Sequence, residues 1–159
     1  MTIFAAEIMI MTLMKKAIRT LILFLAVTLL AVSCNKTAIN SIVITGEWEL
    51  VHTKIYDTKN FANPIKTTRP GETGRAVYYN FIKDGQLEIR EIEKLSGIEV
   101  SVIRGTWTID GSVLILRYVA VPYEYRIDTA NLTDLIIYRD YDSEGKTVRE
   151  TMTFSKFKI

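Results

Sequence analysis

The residues that decide the fold are 105–118, which read GTWTIDGSVLILRY. Two runs of strand-like sequence meet here at Asp110-Gly111, and an Asp-Gly pair between such runs is among the strongest short-range signals of a hairpin. Residues 99–109 before the pair also have a strand pattern. The stretch therefore predicts two antiparallel strands joined by a tight turn.

The same arrangement occurs one step toward the N-terminus. Residues 77–82 are β-branched and aromatic, and Asp84-Gly85 follows. The next strand is predicted over residues 86–92, of which residues 86–90 alternate between polar and apolar side chains. Residues 86–95 also contain several helix formers, but the turn and the β-branched neighbours favour a strand. The sequence therefore predicts a second hairpin directly before the first.

Working outward from these hairpins gives eight strands in all. Val119–Val121 is predicted to extend the fifth strand as far as Pro122, and residues 58–75 are predicted to form a long exposed loop bordering a binding site. Short antiparallel strands in hairpin order predict an all-β fold, an up-and-down barrel of about eight strands, with an open β-sandwich as the alternative. The remaining predicted strands are 48–53, 123–127, 135–141 and 148–157.

A targeting segment precedes the strands. Residues 21–32 read LILFLAVTLLAV, with Lys15, Lys16 and Arg19 before them and Ser33 after them. A basic region, a short apolar run and a small residue predict a secretory signal peptide over residues 1–33. The apolar run is shorter than the roughly 20 residues that span a membrane, although an uncleaved anchor helix is the alternative. Because residues 1–13 carry no basic residue, we expect translation to begin at Met14.

The end of the apolar run, residues 30–34, resembles a bacterial lipobox, with Ala31 at a position where the family prefers Leu. The resemblance implies that Cys34, the only cysteine in the chain, becomes a lipidated N-terminus. Two or more acyl chains hold a protein stably on a membrane without spanning it. Residues 34–45 would then be a lipidated tether, and residues 46–159 the folded domain. Asn35 after the cysteine implies placement in the outer membrane facing the periplasm, with the cell surface as the alternative.

The folded domain resembles the lipocalins in three places. Gly46-Glu47-Trp48 is similar to their first-strand signature, and residues 105–111 and 150–156 are similar to a hairpin and the closing strand of small bacterial lipocalin-like lipoproteins. The resemblance implies a barrel in which Trp48 closes one end. Large lipocalins often pack a late arginine over that tryptophan, and Arg139 and Arg149 are both candidates.

Aromatic residues are concentrated in the domain, which contains all 8 Tyr and both Trp of the chain. A tyrosine combines an apolar body with a polar tip and suits a pocket wall, while ordinary packing between strands is the alternative. The candidates for the barrel end or cavity are Trp48, Trp107, Tyr79, Phe81, Tyr118, Tyr125, Tyr138 and Phe154.

The composition excludes several classes of function. Three of the 20 basic and one of the 18 acidic residues lie in residues 1–33, which leaves 17 of each and predicts no nucleic-acid partner. One Cys and one His exclude disulfide frameworks, Cys-rich zinc sites and His clusters. His52 has no accompanying nucleophile motif. We therefore expect no enzyme activity, no metal and no cofactor.

These observations together predict a membrane-anchored, non-catalytic lipocalin-like lipoprotein of the bacterial cell envelope. If the barrel is hollow, it would bind a small apolar or amphipathic ligand, because eight-stranded barrels can hold one. If side chains fill the barrel, the alternative is a protein-interaction module of the cell envelope, whose partner the sequence does not identify.

Overall fold

The structure is a computed structural model that describes residues 41–157. The signal peptide, Cys34 and the tether up to residue 40 lie outside the described residues. No helix within residues 41–157 has the length and apolar character needed to cross a membrane.

The described chain is almost entirely β-structure. Residues 41–44 are helical, and two short 3₁₀ turns lie at Pro70–Thr73 and Lys83–Gly85. The strands are β1 (Gly46–Asp57), β2 (Lys66–Thr68), β3 (Arg75–Ile82), β4 (Gln86–Glu93), β5 (Glu99–Asp110), β6 (Val113–Arg117), β7 (Tyr123–Ala130), β8 (Asp134–Ser143) and β9 (Lys146–Lys156).

The sheet closes on itself. Each strand from β3 onward pairs antiparallel with the next, and β1 pairs with both β3 and β9. The β1–β9 ladder runs from Trp48 opposite Lys156 to Asp57 opposite Val148, with a bulge between Leu50 and His52. The predicted barrel is therefore confirmed, and closure rules out the open β-sandwich. Eight strands form the wall, and β2 is an additional short strand against β1.

The predicted turns have the backbone conformation that their residues favour. Asp84 and Gly85 have φ of +68° and +81°, and Gly111 has φ of +59°. Asp and Gly adopt this left-handed region more readily than most residues do, so both hairpins form where the Asp-Gly pairs stand. Between β1 and β3, the predicted long loop contains β2 and the turn at Pro70–Thr73.

The fifth strand is shorter than expected. β6 ends at Arg117, and residues 118–121 bend away instead of extending the strand. At this point the chain crosses close to Gly105, where an added Cβ would overlap the Arg117 carbonyl oxygen and lie 2.8 Å from the Tyr118 Cβ. Pro122 also removes a backbone donor from any continued ladder. Because β6 ends early, the barrel wall is shorter at β6 than at β5.

Candidate functional site: the barrel interior and its openings

The end of the barrel nearest Gly46, here called the closed end, is filled with aromatic side chains. Trp48 and Phe81 have no exposed surface, and Phe154 is 1% exposed. The Phe81 ring meets Trp107 edge to face at 5.5 Å between centroids, and Tyr79 meets Phe154 in the same way at 5.0 Å. Packing of this kind leaves no room for a ligand among these rings. Outside them, a cavity of about 540 Å³ is lined by residues that include Ile42, Gly85 and Trp107.

The helical residues 41–44 form a plug below these rings. The indole Nε1 of Trp48 donates a hydrogen bond to the carbonyl oxygen of Ile44 at 2.6 Å, and Ile44 is itself fully buried. Trp107 donates from its Nε1 to the carbonyl of Ile82 at 2.9 Å. Both buried indoles thus have a hydrogen-bond partner, as amphipathic rings in a core require.

A cation packs over Trp48, but it is neither of the two candidate arginines. The Nζ of Lys156 lies 4.3 Å from the Trp48 ring centroid and donates to the Thr45 carbonyl at 2.6 Å. Burial lowers the pKa of this lysine. Gly46 has φ of +114°, and a Cβ there would come within 2.8 Å of the ammonium group, so glycine leaves space for the lysine.

The upper part of the interior is polar. On β8, Leu135 and Ile137 are fully buried, and the alternation of side chains places Arg139 on the same inward face. The Nε of Arg139 donates to Oε2 of Glu150 at 2.6 Å, and the Tyr125 hydroxyl donates to the same oxygen at 3.3 Å. The two charged side chains are only 24% and 17% exposed.

Three tyrosine rings surround the guanidinium of Arg139. Its central carbon lies 4.4 Å from the ring centroid of Tyr123, 4.8 Å from Tyr141 and 5.4 Å from Tyr125. We call these residues the Arg139 cluster: Arg139, Glu150, Tyr123, Tyr125 and Tyr141. The cluster is an ion pair held by cation–π contacts. It lies between the packed closed end and the opposite end of the barrel, here called the open end.

Burial keeps the nearby tyrosines protonated. It raises the pKa of Tyr125, and the carboxylate of Glu150 raises it further. Burial also raises the pKa of Tyr118 to about 12. Burial lowers the pKa of Arg139, but the hydrogen bond to Glu150 and the electrostatic interactions with Glu150, Tyr125 and Tyr123 together outweigh burial and leave the pKa raised. Tyr125 and Tyr118 therefore stay neutral beside the ion pair near neutral pH, and their hydroxyl groups can donate hydrogen bonds.

The barrel wall is shorter beside this cluster, because β6 and β7 do not reach as far toward the open end as their neighbours do. β6 ends at Arg117 and β7 begins at Tyr123, whereas β5 begins at Glu99 and β8 continues to Ser143. On β5, the ladder with β6 includes only Thr106–Asp110. Residues 99–105 therefore extend beyond β6 toward the open end, by about 20 Å at roughly 3.3 Å per residue. We call this gap between β5 and β8 the side opening. Tyr118 and Tyr123, with centroids 5.4 Å apart, lie at its base.

A second opening leads to the cluster from the open end of the barrel. A cavity of about 470 Å³, here called the mouth pocket, is lined by residues that include Ile55, Ile65, Tyr141 and Val148. Its volume lies within the usual range for small-molecule sites. Since Tyr141 also contacts Arg139, the mouth pocket and the Arg139 cluster share one wall.

The predicted site residues do not all come together. Tyr118 lies at the side opening, and Tyr138 lies on the outer face of β8, where the Arg149 guanidinium packs over its ring at 4.2 Å. His52 is on the outer face of β1, opposite Thr153, and burial and two nearby cations lower its pKa. The other six site candidates share the buried core: Trp48, Tyr79, Phe81, Trp107, Tyr125 and Phe154.

Sequence reasoning missed the partners that make the upper interior polar. Glu150 and Tyr141 were not among the site candidates, and Arg139 was considered only for the space over Trp48. The signal was present: positions 139 and 141 continue the inward face of Leu135 and Ile137. Within residues 41–157, no group of three or more His, Cys, Asp or Glu is arranged to hold a metal ion.

Comparisons with known proteins give structural likeness only. No protein-family model and no curated protein matches the chain. A lipocalin-like protein from Bacteroides uniformis is 14% identical, covering 72% of this chain and 99% of its own, with a TM-score of 0.47. An uncharacterized protein from Bacteroides eggerthii is 11% identical over 71% and 98%, with a TM-score of 0.48.

Bovine odorant binding protein, solved with a selenium-containing odorant, is 18% identical over 76% of this chain and 74% of its own, with a TM-score of 0.43. The assignment of the fold rests on the chain's own strands. Eight antiparallel strands follow one another around the wall, and β1 closes it against β9. The described residues therefore form a lipocalin-like β-barrel.

Proposed function

We propose that this protein is a lipid-anchored, non-catalytic binding protein of the bacterial cell envelope. It binds a small amphipathic ligand in the mouth pocket, against the Arg139 cluster. The observation that carries the proposal is the contrast in the interior, which is packed at the closed end and, toward the open end, lined by tyrosines around a partly buried ion pair. Apolar walls with a few placed polar groups are characteristic of ligand sites.

The chemistry of the pocket favours a ligand with both apolar and polar parts. Ile55, Ile65 and Val148 supply apolar surface, and Tyr141 presents a ring face together with a hydroxyl. The charge of Arg139 is balanced by Glu150, and the lining also includes Lys66, Lys146 and Glu144, so the pocket offers charged groups beside its apolar surface.

Binding of an amphipathic fluorescent naphthalene sulfonate to the full chain tests this proposal. Tyr141→Ala removes a wall of the mouth pocket and should weaken binding about three- to tenfold, the usual worth of one aromatic contact. Tyr138→Ala is the matched control, since it makes the same truncation on the outer face of β8 and should leave binding unchanged. Absence of saturable binding, or equal loss in both variants, would refute the ligand site.

Membrane anchoring through Cys34 is tested separately. The support for it is the apolar run of residues 21–32 followed directly by Ser33 and the only cysteine in the chain. Cells expressing the full chain should incorporate labelled palmitate into it, and Cys34→Ser should lose the label. Label that persists in Cys34→Ser would contradict the anchor and leave the ligand site untouched.

The filled closed end also favours a second candidate function, a protein-interaction module. The deeper interior is occupied by side chains such as Trp48, Phe81 and Trp107, so the barrel acts there as a rigid scaffold. Covalent cross-linking in intact cells, followed by purification, distinguishes the two. A single stable protein partner in the absence of any probe binding would favour this second function.

A further inference from the structure

One strand edge of the barrel is left without a partner. β5 pairs with β4 from Glu99 to Thr106, but on its other edge β6 covers only Thr106–Asp110. Along residues 99–105, that second edge has no ladder partner among residues 41–157. Successive residues of a strand direct their N–H and C=O groups to alternate edges, so about three residues here present unpaired groups.

This edge carries only part of the usual protection against pairing. Natural edge strands are commonly blunted by lysine, by proline, by a bulge or by a covering segment, and of these β5 has only the bulge at Val100. Residues 99–104 read EVSVIR and contain neither lysine nor proline. Val100 is 47% and Ile103 43% exposed, so both stay about half accessible to solvent within the described chain. Such an edge is suited to accept another strand.

The side chains along the edge are complementary to themselves. Arg104 lies opposite Glu88 and Glu99 opposite Ile92 on β4, while a bulge between Glu91 and Ile92 adds one residue to β5. The extra residue keeps Glu99 on the same outward face as Arg104, with Val102 between them. The outward face therefore carries an acid at one end, an apolar centre and a base at the other end.

We propose that this edge of β5 pairs antiparallel with the same edge of a second copy of the chain, about a two-fold axis at Val102. The register places Val102 against Val102 of the second copy and brings Arg104 of each copy beside Glu99 of the other. Opposite charges across antiparallel strands stabilise pairing, and like charges oppose it. The two-fold symmetry makes both charge pairs form together.

Sedimentation of the full chain in density-matched detergent micelles tests the dimer. Glu99→Arg alone and Arg104→Glu alone each replace two attractive pairs with two repulsive ones, and each should raise the dimer dissociation constant at least about tenfold. An equimolar mixture of the two variants should associate with the wild-type affinity, because in the mixed dimer both pairs are again of opposite charge.

A pair of valine variants controls for general effects on folding. Val102→Lys places two ammonium groups at the two-fold axis and should abolish the dimer. Val51→Lys makes the same change on β1, at another surface residue, 42% exposed, and should leave the dimer intact. A wild-type chain that is monomeric at every concentration would overturn the proposal. So would a dimer whose affinity is the same in both charge variants and unchanged by mixing them.

Discussion

The two ends of this barrel are built from the same strands but carry different chemistry inside. Near the closed end, the inward positions hold Trp48, Phe81, Trp107 and Phe154, all 5% exposed or less. A few residues farther along the same strands, the inward positions hold Arg139, Glu150 and tyrosines. The alternation of side chains continues through both regions, so the change lies in the residue types and not in the strand pattern.

The wall changes in parallel with the interior. Every strand of the wall pairs with two neighbours over part of its length, but beyond Arg117, toward the open end, β6 and β7 no longer contribute to the wall. Regions with fewer contacts and exposed backbone open at lower free-energy cost than a packed core. The comparison indicates that the closed end holds the fold together and that the open end is available for binding. Four predictions test this division.

The largest effect is expected at the closed end. Trp48→Ala removes a fully buried ring and its hydrogen bond to Ile44, and should lower the free energy of unfolding by about 3–5 kcal/mol, the usual cost of deleting a buried aromatic side chain. Urea denaturation followed by far-UV circular dichroism measures it. A loss below 1 kcal/mol would mean that the closed end is not the stabilising region.

A smaller loss is expected in the Arg139 cluster. Glu150→Ala leaves the partly buried guanidinium of Arg139 without its carboxylate and should cost about 1–3 kcal/mol, below the figure for fully buried pairs because both side chains retain some exposure. The double variant Arg139→Met with Glu150→Leu should be more stable than Glu150→Ala, since it removes both charges. If the double variant is less stable than Glu150→Ala, the ion pair stabilises the fold by more than the neutralisation of two partly buried charges.

The tyrosines of the open end predict a dependence on alkaline pH. Because burial raises the pKa of Tyr118 to about 12, the folded chain holds a proton that the unfolded chain releases near pH 10. This contribution to stability is complete below pH 10 and decreases as the pH rises toward 12. After allowance for partial exposure, the loss should be roughly 1 kcal/mol by pH 11.

Tyr118→Phe cannot ionise at this position, so its free energy of unfolding should fall less between pH 10 and pH 11 than that of the wild type. Urea denaturation at several pH values gives both slopes. Equal slopes in the two proteins would place the alkaline loss elsewhere, for example in the tyrosines nearer the core.

The fold was more accessible from sequence than the site, for a physical reason. Turn residues and period-two alternation act locally, so Asp84-Gly85 and Asp110-Gly111 predicted the hairpins correctly. The end of β6 depends on a nonlocal contact, because Tyr118 crosses against Gly105 on the neighbouring strand. The side opening follows from that contact and could not be predicted from residues 113–121 alone.

The same reason explains the cation over Trp48. A late arginine was expected from resemblance, and Arg139 and Arg149 fitted the description equally well. The β1–β9 register decides the matter by placing Lys156 directly opposite Trp48, and register depends on the closure of the whole barrel. Arg139 instead lies among the tyrosines, and Arg149 forms a bidentate ion pair with Asp140 on the outer face.

Lys156 gives the smallest expected effect and the finest test of the division between the two ends. Lys156→Met keeps most of the chain length over the Trp48 ring but removes the charge and the hydrogen bond to the Thr45 carbonyl. The expected loss is about 0.5–1 kcal/mol in the free energy of unfolding, the usual worth of a cation–π contact at a partly exposed site. Tryptophan fluorescence during urea denaturation measures it.

Because the lysine belongs to the closed end, binding of the naphthalene sulfonate should stay unchanged. A variant that loses probe binding while keeping its stability would show that the two ends are coupled, and the separation of fold from site would then be wrong.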